Sequence, residues 1–228
     1  MKTFCVGDIH GAYKALVQCL KLSGFDYGQD RLIVLGDICD GYPEVNLCIE
    51  ELLKIKHCDY IFGNHDLWAL DWALRNKKPD IWLEQGGQAT IASYGSQGMS
   101  KFHVDFLLSG VYWLELENKI FVHGGFNPKR PLEEQDKEEF VWNRDLILNA
   151  YKQSLIDDSY QFGTYDEIFV GHTPTKNFQS QLPVHVCNVW DLDTGAGRYG
   201  ALTMMDIHTK QYWQSEATSK LYEGIQSR

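Results

Sequence analysis

Residues 3–11 read TFCVGDIHG, a short apolar run that stops at a glycine and continues with an aspartate and a histidine. A closely similar order recurs at residues 32–40 (LIVLGDICD), 60–66 (YIFGNHD), 119–125 (KIFVHGG) and 167–174 (EIFVGHTP). Strands that each stop at such a cluster would place Asp, Asn and His side chains at one edge of a sheet, where open α/β sheets bind ligands. The five clusters together predict a metal site in an α/β protein.

Helical spacing of apolar residues follows each of the first three clusters. This spacing predicts helices over residues 13–20, 45–52 and 67–74, and Gly24 is a suitable stop for the first of them. Alternation of strands with helices favours parallel β pairing through right-handed crossovers.

The regular pattern ends near residue 77. Glycines and a proline punctuate residues 77–118, which indicates a small helical insert or cap. Residues 184–189 and 201–207 alternate like strands, and we expect them to complete a second sheet. The sequence contains no Pro/Ser-rich linker, so we expect one domain over residues 1–228.

Composition excludes several classes of partner. The net charge of −10 argues against general binding of nucleic acid, and a phosphorylated substrate would need local attraction by metal or by a few cations. The six cysteines form no Cys-x-x-Cys pair, as expected in a reducing compartment. No apolar stretch has the length of a membrane span, and the N-terminus leaves no room for a signal peptide. The sequence therefore predicts a cytoplasmic protein without a membrane partner.

The residue types in the clusters suit a pair of metal ions. Asp8 and His10 are two positions apart, so they point the same way from an extended strand end. Asp37 follows His10 by 27 positions and Asn64 follows Asp37 by 27, about one strand–helix–strand step each. Asp, Asn and His are ligands for hard or borderline ions, and a carboxylate can bridge two of them. Two such ions roughly 3.5–4 Å apart, bridged by hydroxide, promote in-line attack at phosphorus.

Each residue also has a purely structural interpretation. Aspartate after glycine is common in turns, and a lone histidine is more often a structural residue than a ligand. The joint arrangement favours the metal site, because His10, His65, His123 and His172 each come just after an apolar run.

The five clusters resemble, in order, the motifs of the calcineurin-like metallophosphoesterases, and the Gly-Asp-x-His-Gly and Gly-His-Thr-Pro forms resemble the bacterial and phage-type phosphoprotein phosphatases. Gly86-Gly87 with Ala89-Thr90, and Asp193-Thr194-Gly195-Ala196, also resemble segments of bacterial members. The resemblance implies a four-layer α/β sandwich of two mixed β-sheets flanked by helices. Symmetrical diadenosine tetraphosphate hydrolases belong to the same branch.

The resemblance also implies a ligand set for two divalent metal ions, manganese in the first place, with iron or zinc also compatible. It places one ion on Asp8, His10 and a bridging Asp37. It places the other on Asp37, Asn64, His123 and His172.

A proton donor follows from the same resemblance. His65 would protonate the leaving alkoxide and Asp40 would orient it, while a metal-bridging hydroxide would be the nucleophile. The pair also makes chemical sense unaided, since an alkoxide is a poor leaving group and a nearby carboxylate stabilises an imidazolium.

One part of the family pattern is missing. After Gly-Asp-x-x-Asp the family usually continues with Arg-Gly, whose arginine binds the substrate phosphate, but this chain has Gly41 and Tyr42. Arg144, in a Trp-x-Arg sequence, is the candidate for the remaining phosphate contact; its alternative is a surface ion pair with Asp145. Tyr42 either stacks on a substrate ring or covers the surface, and Cys39 is expected to pack in the core.

These observations predict a phosphomonoester hydrolase, most simply a serine/threonine protein phosphatase acting on phosphoproteins or on phosphorylated small molecules. The alternative is a symmetrical dinucleoside polyphosphate hydrolase, in which Trp68, Trp72 and Trp82 would line a base-stacking surface rather than belong to the core. A third interpretation is a phosphoprotein-binding module with an inactive site. It is disfavoured because every proposed metal ligand is present.

Overall fold

The apolar runs form two sheets that pack face to face. The computed structural model describes residues 1–225 and 227. The first sheet has the order β10-β9-β1-β2-β3. Its strands are β1 (Thr3–Val6), β2 (Arg31–Val34), β3 (His57–Tyr60), β9 (Thr203–Asp206) and β10 (Tyr212–Gln214). The second has the order β4-β5-β6-β8-β7. Its strands are β4 (Trp113–Leu116), β5 (Lys119–Val122), β6 (Glu167–Val170), β7 (Val184–Val186) and β8 (Val189–Asp191).

Helices cover the outer face of each sheet. They are α1 (Tyr13–Ser23), α2 (Val45–Leu52), α3 (Asn64–Arg75), α4 (Asp80–Trp82), α5 (Gln88–Tyr94), α6 (Lys101–Leu108), α7 (Lys137–Trp142), α8 (Asp145–Ser154) and α9 (Thr218–Leu221), and the helices of the insert pack on α2 and α3. Shorter helical turns span Leu83–Gly87, Gly95–Gln97, Leu132–Glu134 and Thr175–Phe178. α1 ends where predicted, because Gly24 adopts the left-handed conformation (φ 66°) that terminates a helix.

The central strands β1, β2, β5 and β6 are mainly apolar because both of their faces are buried. Phe4 and Val6 of β1 pack against the helices, whereas Cys5 between them faces the other sheet. Phe121 of β5 and Phe169 of β6 stack at 4.8 Å between the sheets. The order helix, sheet, sheet, helix confirms the predicted four-layer sandwich with two mixed sheets.

The parallel strands end in register, and this brings the clusters together. Val6 of β1 pairs with Val34 of β2, and Val34 pairs with Tyr60 of β3. In the second sheet, β5 and β6 are parallel, with Phe121 opposite Phe169. The segments that follow these strands therefore leave the two sheets at the same edge.

Two details of the sequence prediction change. Residues 201–207 do not complete the second sheet, because β9 pairs antiparallel with β1 and extends the first sheet at the open side of that strand. Residues 184–189 do join the second sheet, through the antiparallel pair β7 and β8. The helical part of the insert predicted at 77–118 ends at Leu108, since β4 belongs to the second sheet.

The part of the chain that the structure describes contains no helix long and apolar enough to cross a bilayer. All six cysteines lie within the described residues, and none of them forms a disulfide.

Candidate metal centre

Tight turns at the ends of β1, β2 and β6 present the predicted ligands. His10, Asp37 and His172 have positive φ angles of 50°, 48° and 63°, a conformation uncommon for residues other than glycine and concentrated at functional sites. Hydrogen bonds between the clusters stabilise the turns: the His10 amide donates to the Asp37 carbonyl at 2.8 Å. Asp66 fixes the Asp37 turn from α3, since its Oδ1 accepts from the amides of Ile38 and Cys39 at 2.9 Å each.

The turns form two groups of potential ligands that share one carboxylate. Asp8, His10 and Asp37 form one group, and Asp37, His123 and His172 the other. All five are buried, and the ligand atoms within each group lie within 4.8 Å of one another. Asp37 Oδ2 is 3.5 Å from His10 Nε2 and 3.4 Å from His123 Nε2. The shared carboxylate therefore lies between the two groups, where a bridging ligand is expected.

Backbone carbonyls orient two of the imidazoles. His10 Nδ1 donates to the Cys39 carbonyl at 3.1 Å, and His123 Nδ1 donates to the Leu35 carbonyl at 2.7 Å. The Nε2 atom of each ring then faces the cluster, the usual arrangement for histidine ligands. Asn64, the first residue of α3, completes the second group, with its Oδ1 3.2 Å from His123 Nε2.

The packing around these groups fits metal ions. Within the described residues, His172 Nε2 is a buried nitrogen without a hydrogen-bond partner, and a bound cation would accept its lone pair instead. Glycines make room for the carboxylates: a Cβ at Gly63 would lie 2.1 Å from Asp37 Oδ1, and one at Gly171 would lie 2.2 Å from Asp8 Oδ1. Oxygen and imidazole donors without thiolate suit Mn, Fe or Zn.

Electrostatics in the cluster also favour a cation. Burial raises the pKa of Asp8 well above its usual range, and the Asp193 carboxylate adds to the effect. Burial alone would also raise the pKa of Asp37. The charges of His123 and His65 outweigh this effect and hold the pKa of Asp37 well below its usual range. Burial and the charge of His123 lower the pKa of His172 to about 2, which keeps this imidazole neutral and able to bind metal.

His65 and Asp40 form a buried pair beside the cluster. His65 Nδ1 donates to Asp40 Oδ2 at 2.7 Å, because an ionised carboxylate can only accept. Two further side chains donate to the same carboxylate, Trp82 Nε1 at 2.7 Å and Thr90 Oγ1 at 2.6 Å. Asp40 is thus fixed by three donors, and it fixes the imidazole in turn. His65 also lines the cleft described below, so it is open to a substrate on the other side.

Trp82 and Thr90 contact the predicted site residue Asp40, and the sequence did not indicate this role for either of them. Both come from the insert after α3, where the Gly-Gly and Ala-Thr dipeptides were the available signal. Gly87 lets the indole pack closely, since a Cβ there would lie 2.4 Å from the Trp82 ring. Trp82 is fully buried and Trp72 is 7% exposed, so neither offers a surface for base stacking. Trp68 is half-buried with its ring 5.1 Å from that of His65.

Trp82→Phe should lower turnover about 10-fold or more, because changes to such orienting partners commonly cost 10- to 100-fold. The substitution removes one donor from Asp40 and leaves the metal ligands intact. The measurement is kcat of the metal-loaded protein for a phosphate ester, together with its metal content. Trp72→Phe is the matched control, a buried indole whose ring lies 6.1 Å from that of Trp82. Equal losses in both variants would mean that the Trp82 hydrogen bond has no role in turnover.

Arg144 lies at the mouth of the cluster. Its Nη1 donates to the His172 carbonyl at 2.7 Å and to Thr173 Oγ1 at 3.3 Å. With the two site histidines His65 and His172, it lines a cleft of about 400 Å³. The guanidinium is therefore oriented by the backbone of a predicted ligand.

The environments of Tyr42 and Cys39 show how these two residues pack. Tyr42 is fully buried and stacks on Tyr222 with ring centroids 4.4 Å apart, so both predicted roles are wrong: it neither stacks on a substrate ring nor covers the surface. Cys39 is also fully buried, and burial raises the pKa of its thiol well above the usual range, as expected for a core residue.

The fold and the paired ligand groups are those of a metallophosphoesterase, and the family comparison agrees. The chain belongs to the calcineurin-like phosphoesterase family, whose model matches residues 1–195. A solved structure with a provisional assignment as a diadenosine tetraphosphatase has the same fold, with a TM-score of 0.72 at 17% identity over 93% of this chain and 92% of its own.

Curated relatives include proteins named for two different activities. Serine/threonine-protein phosphatase 1 of Salmonella typhimurium is 29% identical over 89% of this chain and 90% of its own length. Serine/threonine-protein phosphatase 2 of Escherichia coli is 28% identical over 89% of this chain and 91% of its own. The symmetrical bis(5′-nucleosyl)-tetraphosphatase of Nitrosomonas europaea is 25% identical over 59% of this chain and 48% of its own.

Proposed function

We propose that this chain hydrolyses phosphomonoesters with two divalent metal ions and acts on phosphoserine or phosphothreonine in proteins. The observation that carries the proposal is the shared Asp37 carboxylate, which lies between two buried ligand groups. Similarity to the two bacterial serine/threonine phosphatases over most of their length supports the substrate class.

The metal ligands in this proposal are Asp8, His10, Asp37, Asn64, His123 and His172, with manganese as the preferred ion and iron or zinc as compatible ones. When bound, the ions would generate a nucleophile from water near neutral pH and neutralise charge on the phosphoryl oxygens.

The chain's own groups would then act on the leaving group and the phosphate. His65 would give its Nε2 proton to the leaving alkoxide, because Nδ1 is committed to Asp40. The Asp40 carboxylate would stabilise the imidazolium before the transfer. Arg144 would bind phosphoryl oxygens at the mouth of the cleft, where its guanidinium can donate two parallel hydrogen bonds.

Arg144→Ala should weaken phosphate binding and raise KM about 10- to 100-fold, since hydrogen bonds to charged groups contribute roughly 1.5–3 kcal/mol. Metal content should not change. Steady-state kinetics on a phosphoserine peptide measure the effect. Arg75→Ala is the matched control, because that arginine pairs with Asp71 on the exposed side of α3. Unaltered KM and kcat in Arg144→Ala would assign Arg144 to a surface role instead.

The second candidate function is symmetrical hydrolysis of dinucleoside polyphosphates. The Nitrosomonas relative has that activity in its name, and Trp142 offers an aromatic surface in the cleft, with 42% of the residue exposed and its ring 5.2 Å from that of Trp68. An exposed indole can stack on a nucleobase.

A side-by-side assay distinguishes the candidates. Metal-stripped protein is reconstituted with manganese and given a phosphoserine peptide or diadenosine tetraphosphate, with Asp8→Asn as the control. Phosphate release reports the peptide reaction, and chromatography reports the dinucleotide reaction because symmetrical cleavage frees no phosphate. Faster peptide turnover that is lost in Asp8→Asn is the expected result. Faster formation of nucleoside diphosphate would make the protein a nucleotide hydrolase. Absence of turnover with both substrates would favour the phosphoprotein-binding module.

We further propose one domain over residues 1–228 and a cytoplasmic location. The apolar cluster between the sheets joins residues from both halves of the chain, which supports the single domain. Six free thiols support a reducing compartment.

A further inference from the structure

The cleft above the metal ligands is locally basic in an acidic protein. Arg144, Lys176 and Arg198 all line it, although the whole chain has a net charge of −10. The described residues that line the cleft include no carboxylate. A concentration of cations against the overall charge indicates binding of an anion with several negative oxygens.

Gly41, the position at which the family arginine is absent, cannot easily present a side chain. It has a φ of 83°, a conformation that side chains rarely adopt. A Cβ there would lie 3.1 Å from both the carbonyl oxygen and the Cβ of His10, and 3.7 Å from the carbonyl oxygen of Gly197. The loop 195–200 therefore runs directly beside position 41.

This loop is anchored on the metal cluster. Gly197 packs against the ring of His10, where a Cβ would lie 2.1 Å from Cδ2. The next residue is fixed through its backbone, because the Tyr42 hydroxyl donates to the Arg198 carbonyl at 2.7 Å and the Arg198 amide donates to the Gly195 carbonyl at 3.0 Å. The backbone of Arg198 therefore directly follows Gly197, which contacts the predicted metal ligand His10. The side chain of Arg198 is exposed and lines the cleft.

The guanidinium of Arg198 is available to a ligand. Among residues 1–225 and 227, no carboxylate forms an ion pair with it. Its neighbour Tyr199 is 59% exposed and is absent from the residues lining the cleft. The loop therefore directs one cation to the cleft and the adjacent aromatic ring elsewhere.

We propose that Arg198 is a second phosphate-binding arginine, which reaches the substrate from the loop 195–200 instead of from position 41. The buried Tyr42 acts as a positioning residue for it, through the hydrogen bond to its carbonyl. The proposal rests on the proposed function, since it takes the scissile phosphate as the anion that Arg198 and Arg144 share.

The test uses manganese-loaded protein and two readouts, the Kd of inorganic phosphate by calorimetry and the KM and kcat for a phosphoserine peptide. Arg198→Ala should raise the phosphate Kd and KM about tenfold or more, as expected for loss of hydrogen bonds to a charged group. Arg198→Lys should recover part of the loss, because it keeps the charge and loses the paired donors. Tyr199→Ala, the matched control in the same loop, should match the wild type.

The outcomes separate this inference from the proposed function. Wild-type Kd and KM in Arg198→Ala, with an active wild-type enzyme, would overturn the inference and leave the function intact. A weakened phosphate Kd in Arg198→Ala, with a wild-type protein that hydrolyses nothing, would support the inference and overturn the function. Equal losses in Arg198→Ala and Tyr199→Ala would show that the loop, and not the guanidinium, is responsible, and would overturn the inference.

Discussion

Asp37→Ala is expected to lose metal and activity together. The carboxylate is the one potential ligand that the two groups described above share, so its removal should affect both ions at once. Outer-shell changes around a metal commonly cost about 10- to 100-fold in affinity or activity, and loss of a bridging ligand should exceed that range. Metal content after reconstitution with manganese, measured by atomic emission and compared with kcat for a phosphoserine peptide, gives the result.

Asp206→Asn is the matched control for Asp37→Ala. Asp206 is also a buried carboxylate, but it is the last residue of β9, at the opposite edge of the first sheet, where it accepts from backbone amides. It should leave metal content and kcat near wild type. If Asp37→Ala still binds two ions, Asp37 does not bridge them.

His65→Gln is expected to keep both ions and to lose roughly 10²- to 10⁴-fold in turnover, the usual contribution of general acid catalysis. Glutamine has a similar size and can hydrogen-bond to Asp40, but it cannot donate a proton to an alkoxide. The loss should therefore appear in kcat, whereas metal content and the phosphate Kd should change little.

The leaving group provides an internal control for His65→Gln. A phosphate ester of p-nitrophenol releases a stable phenolate that needs no proton, so the variant should lose much less activity on it than on phosphoserine. Equal losses on both substrates would point to damage elsewhere in the site. Unchanged turnover of phosphoserine would remove His65 from the mechanism.

Much of the architecture could be predicted from the sequence because the candidate metal ligands directly follow the ends of the strands. Runs such as residues 3–6 and 32–35 are apolar on both faces, which indicates buried strands, and the glycine that follows each of them marks the edge of the sheet. The assignment of β9 failed because alternation identifies a strand without identifying its neighbour. β9 joins the first sheet because it pairs with the edge of β1 that β2 leaves unpaired.

The site was less predictable wherever a residue acts through tertiary contacts. Trp82 and Thr90 meet Asp40 from 42 and 50 positions away, and no spacing rule connects them. Tyr42 was ambiguous in sequence, because its hydroxyl finds the carbonyl of Arg198 only after the chain has folded. The proposed metal ligands directly follow the ends of parallel strands in register, whereas these residues lie on loops and on the insert, whose placement depends on packing.

The most direct test of the central claim is a titration of metal-stripped protein with manganese, in which turnover of a phosphoserine peptide is followed against the number of ions bound per chain. The two-metal mechanism predicts no turnover without metal and full turnover when two ions are bound, with neither ion binding nor turnover restored in Asp37→Ala. Turnover that is complete without metal, or that saturates at one ion per chain, would contradict it.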